Sequence, residues 1–460
     1  QCHDPISAHG GGRKSMAYCV LCHTDQSVNP DTYNTVDMKV FIHKLHMGQN
    51  LPSVKAGVPY IIVHRQAVQD YSDIAFPQDI RNCVSCHAPG TKQADNWKTN
   101  PTRAACGSCH DNVNFQTGEN HVNLPQVSDN ECKNCHTPTA TLDFDASIPG
   151  AHVIPNNSAS LPGIIMQIQG VTNTASNNSP VVTFKVTNKK GEPVDISKLT
   201  SIRVILAGPN VDYQVGSKGV RFSENPAAVA GKDGVYTYTM TNKIPDSSTG
   251  SYTISMEARN SVTLLPGTQK QTAATDMAKP VEYYFSVDKS PVVARRKVVS
   301  SEKCAACHQN LGFVHGGTRG ETQECVICHN PTLVDGTSKM SVNLAWQIHS
   351  IHRGENLANP YILGTTNYQE VKFPGDLRNC TACHLANTYQ VDNVGAKADV
   401  VSTGNFTPTT KPISAACQGC HDELSTAAHA LTNTSTLGES CKACHGMNSE
   451  FSVDNVHARH

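Results

Sequence analysis

The sequence predicts two homologous, loop-rich, sparsely helical modules flanking an all-β domain, a Greek-key barrel or a sandwich. Three observations predict it. The pattern C-x-x-C-H occurs nine times, in two blocks. The sequence around those blocks is duplicated. Between them, residues 156 to about 295 carry no cysteine and no histidine and read as short alternating strands.

C-x-x-C-H is the attachment signature of c-type haem: both thiols add to the haem vinyl groups, and the histidine becomes the proximal iron ligand. The first complete motif runs Cys19-Val20-Leu21-Cys22-His23. It recurs with Cys83, Cys86 and His87, with Cys106, Cys109 and His110, and with Cys132, Cys135 and His136. After the gap come Cys304, Cys307 and His308, then Cys325, Cys328 and His329, then Cys380, Cys383 and His384. The last two use Cys417, Cys420 and His421, and Cys441, Cys444 and His445. Cys2-His3 forms half of a tenth motif, whose other cysteine is expected to precede the given sequence. Zinc knuckles and redox dithiols also pair cysteines. Neither needs a histidine directly after every second cysteine, and all nine pairs have one. The expectation is a multihaem protein with ten covalently attached haem c groups, five in each flanking module, the first motif being incomplete in this chain.

Composition agrees. Hydrophobic residues make up 38% and aromatics 6%, low for 460 residues, so the haems are expected to supply missing apolar mass. Folding around the motifs should then depend on the cofactor. All 19 cysteines are accounted for, eighteen in complete motifs plus Cys2, and none remains for a disulfide. Haem attachment of this kind takes place outside the cytoplasm, which implies export across the inner membrane. No apolar run approaches the roughly 20 residues of a membrane-spanning helix. A formal net charge of −1 excludes a nucleic-acid partner of the basic-patch kind.

The duplication defines the domains. His9-Gly10-Gly11-Gly12-Arg13 reappears as His315-Gly316-Gly317-Thr318-Arg319, and His43 to Leu51 reappears as His349 to Leu357. Phe76-Pro77-Gln78-Asp79-Ile80-Arg81-Asn82-Cys83 matches Phe373-Pro374-Gly375-Asp376-Leu377-Arg378-Asn379-Cys380. The boundaries follow as a pentahaem module over 1–155, a β domain over 156–295 and a second pentahaem module over 296–460. Strands are expected at Val181–Thr187, Ser201–Leu206, Val235–Met240, Ser251–Met256 and Glu282–Val287, with turn residues at Lys190-Gly191, Gly208-Pro209 and Pro245 to Gly250. Nothing in this domain looks catalytic, and it reads as a spacer and docking element.

Twelve histidines lie outside the motifs. In the first module His9, His43, His46, His121 and His152 stand out; in the second, His315, His349, His352, His429 and His457 correspond to them. Five candidates for five haems, twice, point to distal axial ligation. His64 has no counterpart and His460 ends the chain. Apolar spacing predicts helices over Val36–His46 and Val342–His352, stopped by Gly48 and Gly354. In each, two histidines at i and i+3 share one face, so they must serve two neighbouring haems rather than opposite sides of one iron. Arg13, Arg81, Arg319 and Arg378 recur beside the motifs and suit haem propionates. With histidine in place of methionine the potentials stay low, and no iron position is left open.

Two pentahaem modules around a cysteine-free β domain, with H-x-x-H after the second and seventh motifs, resemble the OmcA/MtrC family of outer-membrane surface decahaem c-type cytochromes. The resemblance covers the whole chain. It implies a further β domain and a lipid anchor or secretion signal upstream, and haems in a staggered, crossed array. It implies electron transfer, rather than enzymatic turnover, to ferric and manganese oxides, chelated metals or flavins on the extracellular face of the outer membrane. The implied electron source is a porin-cytochrome conduit or a periplasmic donor. The family's β domain beside the second module usually carries a cysteine pair, and residues 156–295 have none, which argues against disulfide-controlled flavin binding here. The alternative is a multihaem reductase of a nitrogen or sulfur oxyanion. It needs an open haem site, marked by an altered motif or a missing distal histidine. No C-x-x-C-K is present and ten distal candidates are. A passive structural role leaves the haems without a purpose.

Overall fold

The computed structural model describes residues 2–4, 6, 8–216, 219–312, 314–402 and 408–459. They form two compact units, one of residues 3–161 with 264–272, the other of residues 1–2, 162–263 and 273–460.

The first unit is mostly irregular. Its longest helix is α1 (Met38–Met47), capped by the Asp37 side chain and stopped at Gly48. A small apolar cluster of Leu51, Tyr60 and Ile62 lies beyond it. Ile62 belongs to β1 (Ile61–His64), which pairs with β2 (Ala67–Asp70) as a hairpin.

The second unit opens with a β sandwich. One sheet has β3 (Ile165–Thr172), β4 (Val181–Thr187) and β7 (Val235–Thr239), with β4 central. The other is built around β5 (Ser201–Gly208) and β8 (Ser251–Leu264). It is completed by β6 (Val220–Glu224), β9 (Thr272–Met277) and β10 (Val281–Ser286). Alternation along β4 turns Val182, Phe184 and Val186 inward, where they meet Val204, Leu206, Ile254 and Met256 of the facing sheet. All five strands read from the sequence are present, and the choice between barrel and sandwich falls to the sandwich. Three strands escaped that reading. β3 alternates from Met166 to Gln169 but then bulges between Ile168 and Gly170; β9 has no aliphatic β-branched residue; β6 has only Val220 and Phe222 as apolar residues. The turn at Pro245 to Gly250 does not close a hairpin. It carries the chain from β7 in one sheet to β8 in the other.

The first eight residues of β8 are buried without alternation, because both faces are covered. One face meets the sandwich core. On the other side of the sheet, Ile205, Ala207 and Tyr213 pack on Val326 and Ile327 of the helix Thr322–Cys328. Arg319 clamps the same face to the module, its guanidinium donating to both oxygens of Glu257 at 2.8 and 3.2 Å. Arg319 thus has a carboxylate partner within the chain, which its place beside the motif did not reveal. Arg81 and Arg378 are likewise bound to Asp79 and Asp376 two residues earlier, at 2.6 and 2.8 Å. A carboxylate at that spacing satisfies the guanidinium fork locally and forms the turn into the next motif.

Beyond the sandwich, α2 (Leu344–Arg353) repeats α1, with Asn343 as its cap and Gly354 as its stop. The hairpin β11 (Ile362–Leu363) and β12 (Thr366–Asn367) repeats β1 and β2 in shortened form.

Gly48 and Gly354 are required by geometry. Both have positive φ, 42° and 45°, and a Cβ on either would collide with a backbone carbonyl, that of Ile74 or of Val371. Gly354→Ala is expected to cost at least about 1–3 kcal/mol, from the left-handed backbone alone. Gly336→Ala, where a Cβ meets open space, should be near neutral. Urea unfolding of the two holoprotein variants compares them directly.

A second prediction concerns Glu324, buried beside Glu257 and Arg319. Burial first, and then the Glu257 carboxyl, push its pKa far above the usual carboxylate range. Unfolded, it ionises near about 4.3. The unfolded state therefore loses its proton first, and stability falls as pH rises through that window. Glu324→Gln should match the parent near the acid end and exceed it increasingly with pH, by at most about 1.4 kcal/mol per pH unit. Equal pH slopes in chemical denaturation would show that the carboxyl ionises freely in the fold.

Candidate functional site: opposed histidine pairs at the haem motifs

Each C-x-x-C-H motif occupies a single helical turn or a short helix, closed by a hydrogen bond from the histidine N–H to the first cysteine's carbonyl. His23 N–H donates to Cys19, His87 to Cys83, and His329 to Cys325, at 3.0, 2.9 and 2.8 Å. This turn brings both thiols and the imidazole to one side of the chain.

Every motif histidine faces a second histidine ring. In the first unit His3 faces His46 and His23 faces His9, both with ring centroids 6.0 Å apart. His87 faces His43 at 6.4 Å, His110 faces His152 at 6.2 Å, and His136 faces His121 at 6.1 Å. In the second unit His308 faces His352 at 6.0 Å, His329 faces His315 at 5.9 Å and His384 faces His349 at 6.0 Å. His421 faces His457 at 5.9 Å and His445 faces His429 at 6.2 Å. The pattern of partners is the same in both units. All ten distal candidates are brought to a motif histidine.

Hydrogen bonds fix which nitrogen is free. His23 Nδ1–H donates to the Val36 carbonyl and His329 to that of Val342, at 2.8 and 3.0 Å. His136 donates to Ala146 and His445 to Phe451, at 2.8 and 2.9 Å. Among the partner rings, His46 donates to Ile42, His352 to Ile348, and His152 to Ile148, each at 2.8 Å. A carbonyl can only accept, so Nδ1 carries the proton and Nε2 keeps its lone pair. That is the tautomer a metal ligand needs, oriented by a carbonyl partner. Burial lowers the pKa of His43, His46, His349 and His352. His384 falls to about 4, from burial first and then His349. The rings are thereby kept neutral.

These residues fit a haem iron held between two imidazoles. Two metal–nitrogen bonds of about 2 Å each, with the half-widths of the two rings, come to about 6 Å. The C-x-x-C thiols stand on the same turn as one ring of each pair. Cys2, which directly precedes His3, is partly buried, its thiol donating to the Ala306 carbonyl at 3.9 Å and lying within hydrogen-bond reach of Cys307.

The helices α1 and α2 each serve two pairs. His43 and His46 face His87 and His3, and His349 and His352 face His384 and His308. One feature the sequence reading did not assign is an aromatic brace. Phe76 sits edge-on to His46 at 5.6 Å and Phe373 edge-on to His352 at 5.5 Å. The repeat containing both phenylalanines was visible, but nothing in it pointed to the histidines. His23 also stacks on Phe41 at 5.8 Å, a residue replaced by Gln347 in the repeat.

Comparison with known proteins agrees with this architecture. The chain is similar to the multiheme cytochrome MtrC of Shewanella baltica (strain OS185), 24% identical over 96% of this chain and 67% of that protein. Its fold matches the crystal structure of MtrC from Shewanella baltica OS185 with a TM-score of 0.64 and 20% identity, over 96% of this chain and 72% of that one. It matches the crystal structure of the outer membrane decaheme cytochrome OmcA with the same score and identity, over 100% and 73%. The family description "outer membrane cytochrome MtrC/MtrF-like, domains II/IV" matches residues 1–147 and 296–458, one haem-motif block each. The chain therefore belongs to the MtrC/MtrF-like family of outer membrane cytochromes, and it contains that family's domain II/IV unit twice.

Proposed function

We propose that the chain is a decahaem electron conductor, with pentahaem modules over 1–155 and 296–460 joined by the β domain over 156–295. The observation that carries this reading is the histidine pairing. Each motif histidine has an opposed ring, so both axial positions of every haem would be occupied by this chain. A bound c-type haem supplies an iron that cycles between ferric and ferrous states. The residues do the rest. The thiols anchor, the opposed imidazoles hold the iron at low potential, and α1 and α2 each tie two sites together through residues one helical turn apart.

No position is left for a substrate atom on iron, so transfer to an acceptor would be outer-sphere, at exposed haem edges. Family membership supports the acceptors proposed here: ferric and manganese oxides, chelated metals or flavins at the extracellular face of the outer membrane. A porin-cytochrome conduit or a periplasmic donor would supply the electrons. The oxyanion-reductase reading would need one unpaired motif histidine, and each has a partner ring.

Low-temperature EPR of the oxidised protein, integrated against total haem, tests the reading. All haems are expected to be low-spin with bis-histidine character. One high-spin haem in the unmodified protein would restore the reductase reading.

A further inference from the structure

The two modules share their pairing pattern but differ at one place beside it. Leu51, Tyr60, Tyr71 and Phe76 of the first module correspond to Leu357, Tyr361, Tyr368 and Phe373 of the second. Both tyrosine pairs are tilted against each other, at 6.1 and 6.0 Å, and in both the second tyrosine's N–H donates to the first one's carbonyl. Between those fixed points the first module holds four more residues, since 71 minus 60 is 11 and 368 minus 361 is 7. The extra length extends the hairpin. β1 and β2 pair over four positions, whereas β11 and β12 pair over two.

The extension ends in a tight turn at Arg65 and Gln66, both with positive φ, and its last strand residue is His64. That exposed ring lies 5.4 Å from His9, edge to face, and His9 in turn faces His23 at 6.0 Å. Three histidines thus line up at a motif that needs two. The hairpin is anchored at this place by two asparagines. Asn29 Nδ2 donates to the Val63 carbonyl at 2.8 Å and Asn34 Nδ2 to that of Ile61 at 2.9 Å. The corresponding residues of the second module, Asp335 and Met340, also hold its hairpin, Met340 Sδ accepting from Ile362 N–H at 3.3 Å and Asp335 from the Gly364 N–H, so it is the added length and the histidine that are peculiar to the first. The loop of His315 is braced differently, by Arg259 donating to the Gly316 carbonyl and by the Arg319–Glu257 pair.

We infer that His64 is a reserve axial ligand for the haem at Cys19 and Cys22, placed by its lengthened hairpin to replace His9 opposite His23. The inference rests on the bis-histidine reading proposed above. The exchange is of one neutral imidazole for another. The bond to His9 nitrogen breaks, the bond to His64 nitrogen forms, and no electron or proton is gained or lost. His9 is exposed and precedes Gly10 and Gly11, both with positive φ, so its loop can withdraw without disturbing a packed core. The site would then retain six ligands where its counterpart at His329 would lose one.

The internal repeat supplies the control. His315→Ala is expected to produce one haem's worth of high-spin EPR signal, and to bind carbon monoxide when reduced. His9→Ala should produce neither, and His9→Ala combined with His64→Ala should produce both. His64→Ala alone should leave every haem low-spin, and total haem per chain confirms that each variant is assembled. A high-spin haem in His9→Ala matching that of His315→Ala would overturn the reserve role while leaving the axial pairs intact. If His315→Ala, His9→Ala and the double variant all stay low-spin, the axial pairing itself fails and the inference falls with it.

Discussion

The opposed imidazole pair is the constraint on which the haem-bearing parts of this chain depend. A pair brings two segments ring to ring, and in rings such as His23, His46, His136, His152, His329, His352 and His445 a backbone carbonyl takes Nδ1–H and leaves the Nε2 lone pair free. Some pairs are local, as with His9 and His23 or His121 and His136. Others reach across a module, as with His3 and His46 or His110 and His152. In the first module the apolar cluster beside them is small, Leu51, Tyr60 and Ile62. A chain with so little buried apolar surface cannot offset its conformational entropy by hydrophobic burial alone. Ligand pairs closing long loops through a covalently attached cofactor would supply what is missing, as metal sites do in small domains.

The β sandwich meets the same problem by ordinary means. Its core is aliphatic and aromatic, fully buried, and drawn from both sheets. Its second sheet is also buried on the outside, where Ile205, Ala207 and Tyr213 meet Val326 and Ile327 within a haem motif. The helix bearing Cys325 and Cys328 is therefore packed on a rigid sheet as well as closed by its own turn. Arg319 ties the His315 loop to the same strand through Glu257. The sandwich is thus joined to the second haem-motif block by an apolar contact and an ion pair.

Much of this was legible in the sequence, and the reasons are physical. Motifs such as Cys83–His87 are readable because covalent attachment fixes both spacing and residue type. The helices α1 and α2 are readable because Gly48 and Gly354 stand where no Cβ fits. The partner of each motif histidine was not readable. His43 and His46 lie three residues apart yet face His87 and His3, a choice made by tertiary placement rather than by spacing. Arg81, Arg319 and Arg378 were read by their proximity to motifs, and their carboxylate partners Asp79, Glu257 and Asp376 were not read at all. For Arg319 that carboxylate lies 62 residues away in the sandwich, beyond any local pattern. The β3 strand was missed although Met166, Gln167, Ile168 and Gln169 alternate, because the run is short before the bulge between Ile168 and Gly170 breaks its period.

Identical ligands at every site shift the burden of tuning onto the surroundings. If all the irons share bis-histidine ligation, axial chemistry cannot order their potentials, and burial, charge and outer hydrogen bonds must. The two modules repeat their ligands but not those surroundings. The His329 site has the buried Glu257, Glu324 and Arg319 beside it, with Arg221 reaching Cys328 at 3.3 Å. The equivalent His23 site has Phe41 stacked on its ring, and Arg65 and His64 beyond His9. A half-buried set of paired carboxyl and guanidinium groups and an exposed basic hairpin tip are different surroundings for otherwise equivalent positions. Duplication thus supplied two copies of one ligand scaffold. Divergence outside the ligands is what can give the path through them a direction.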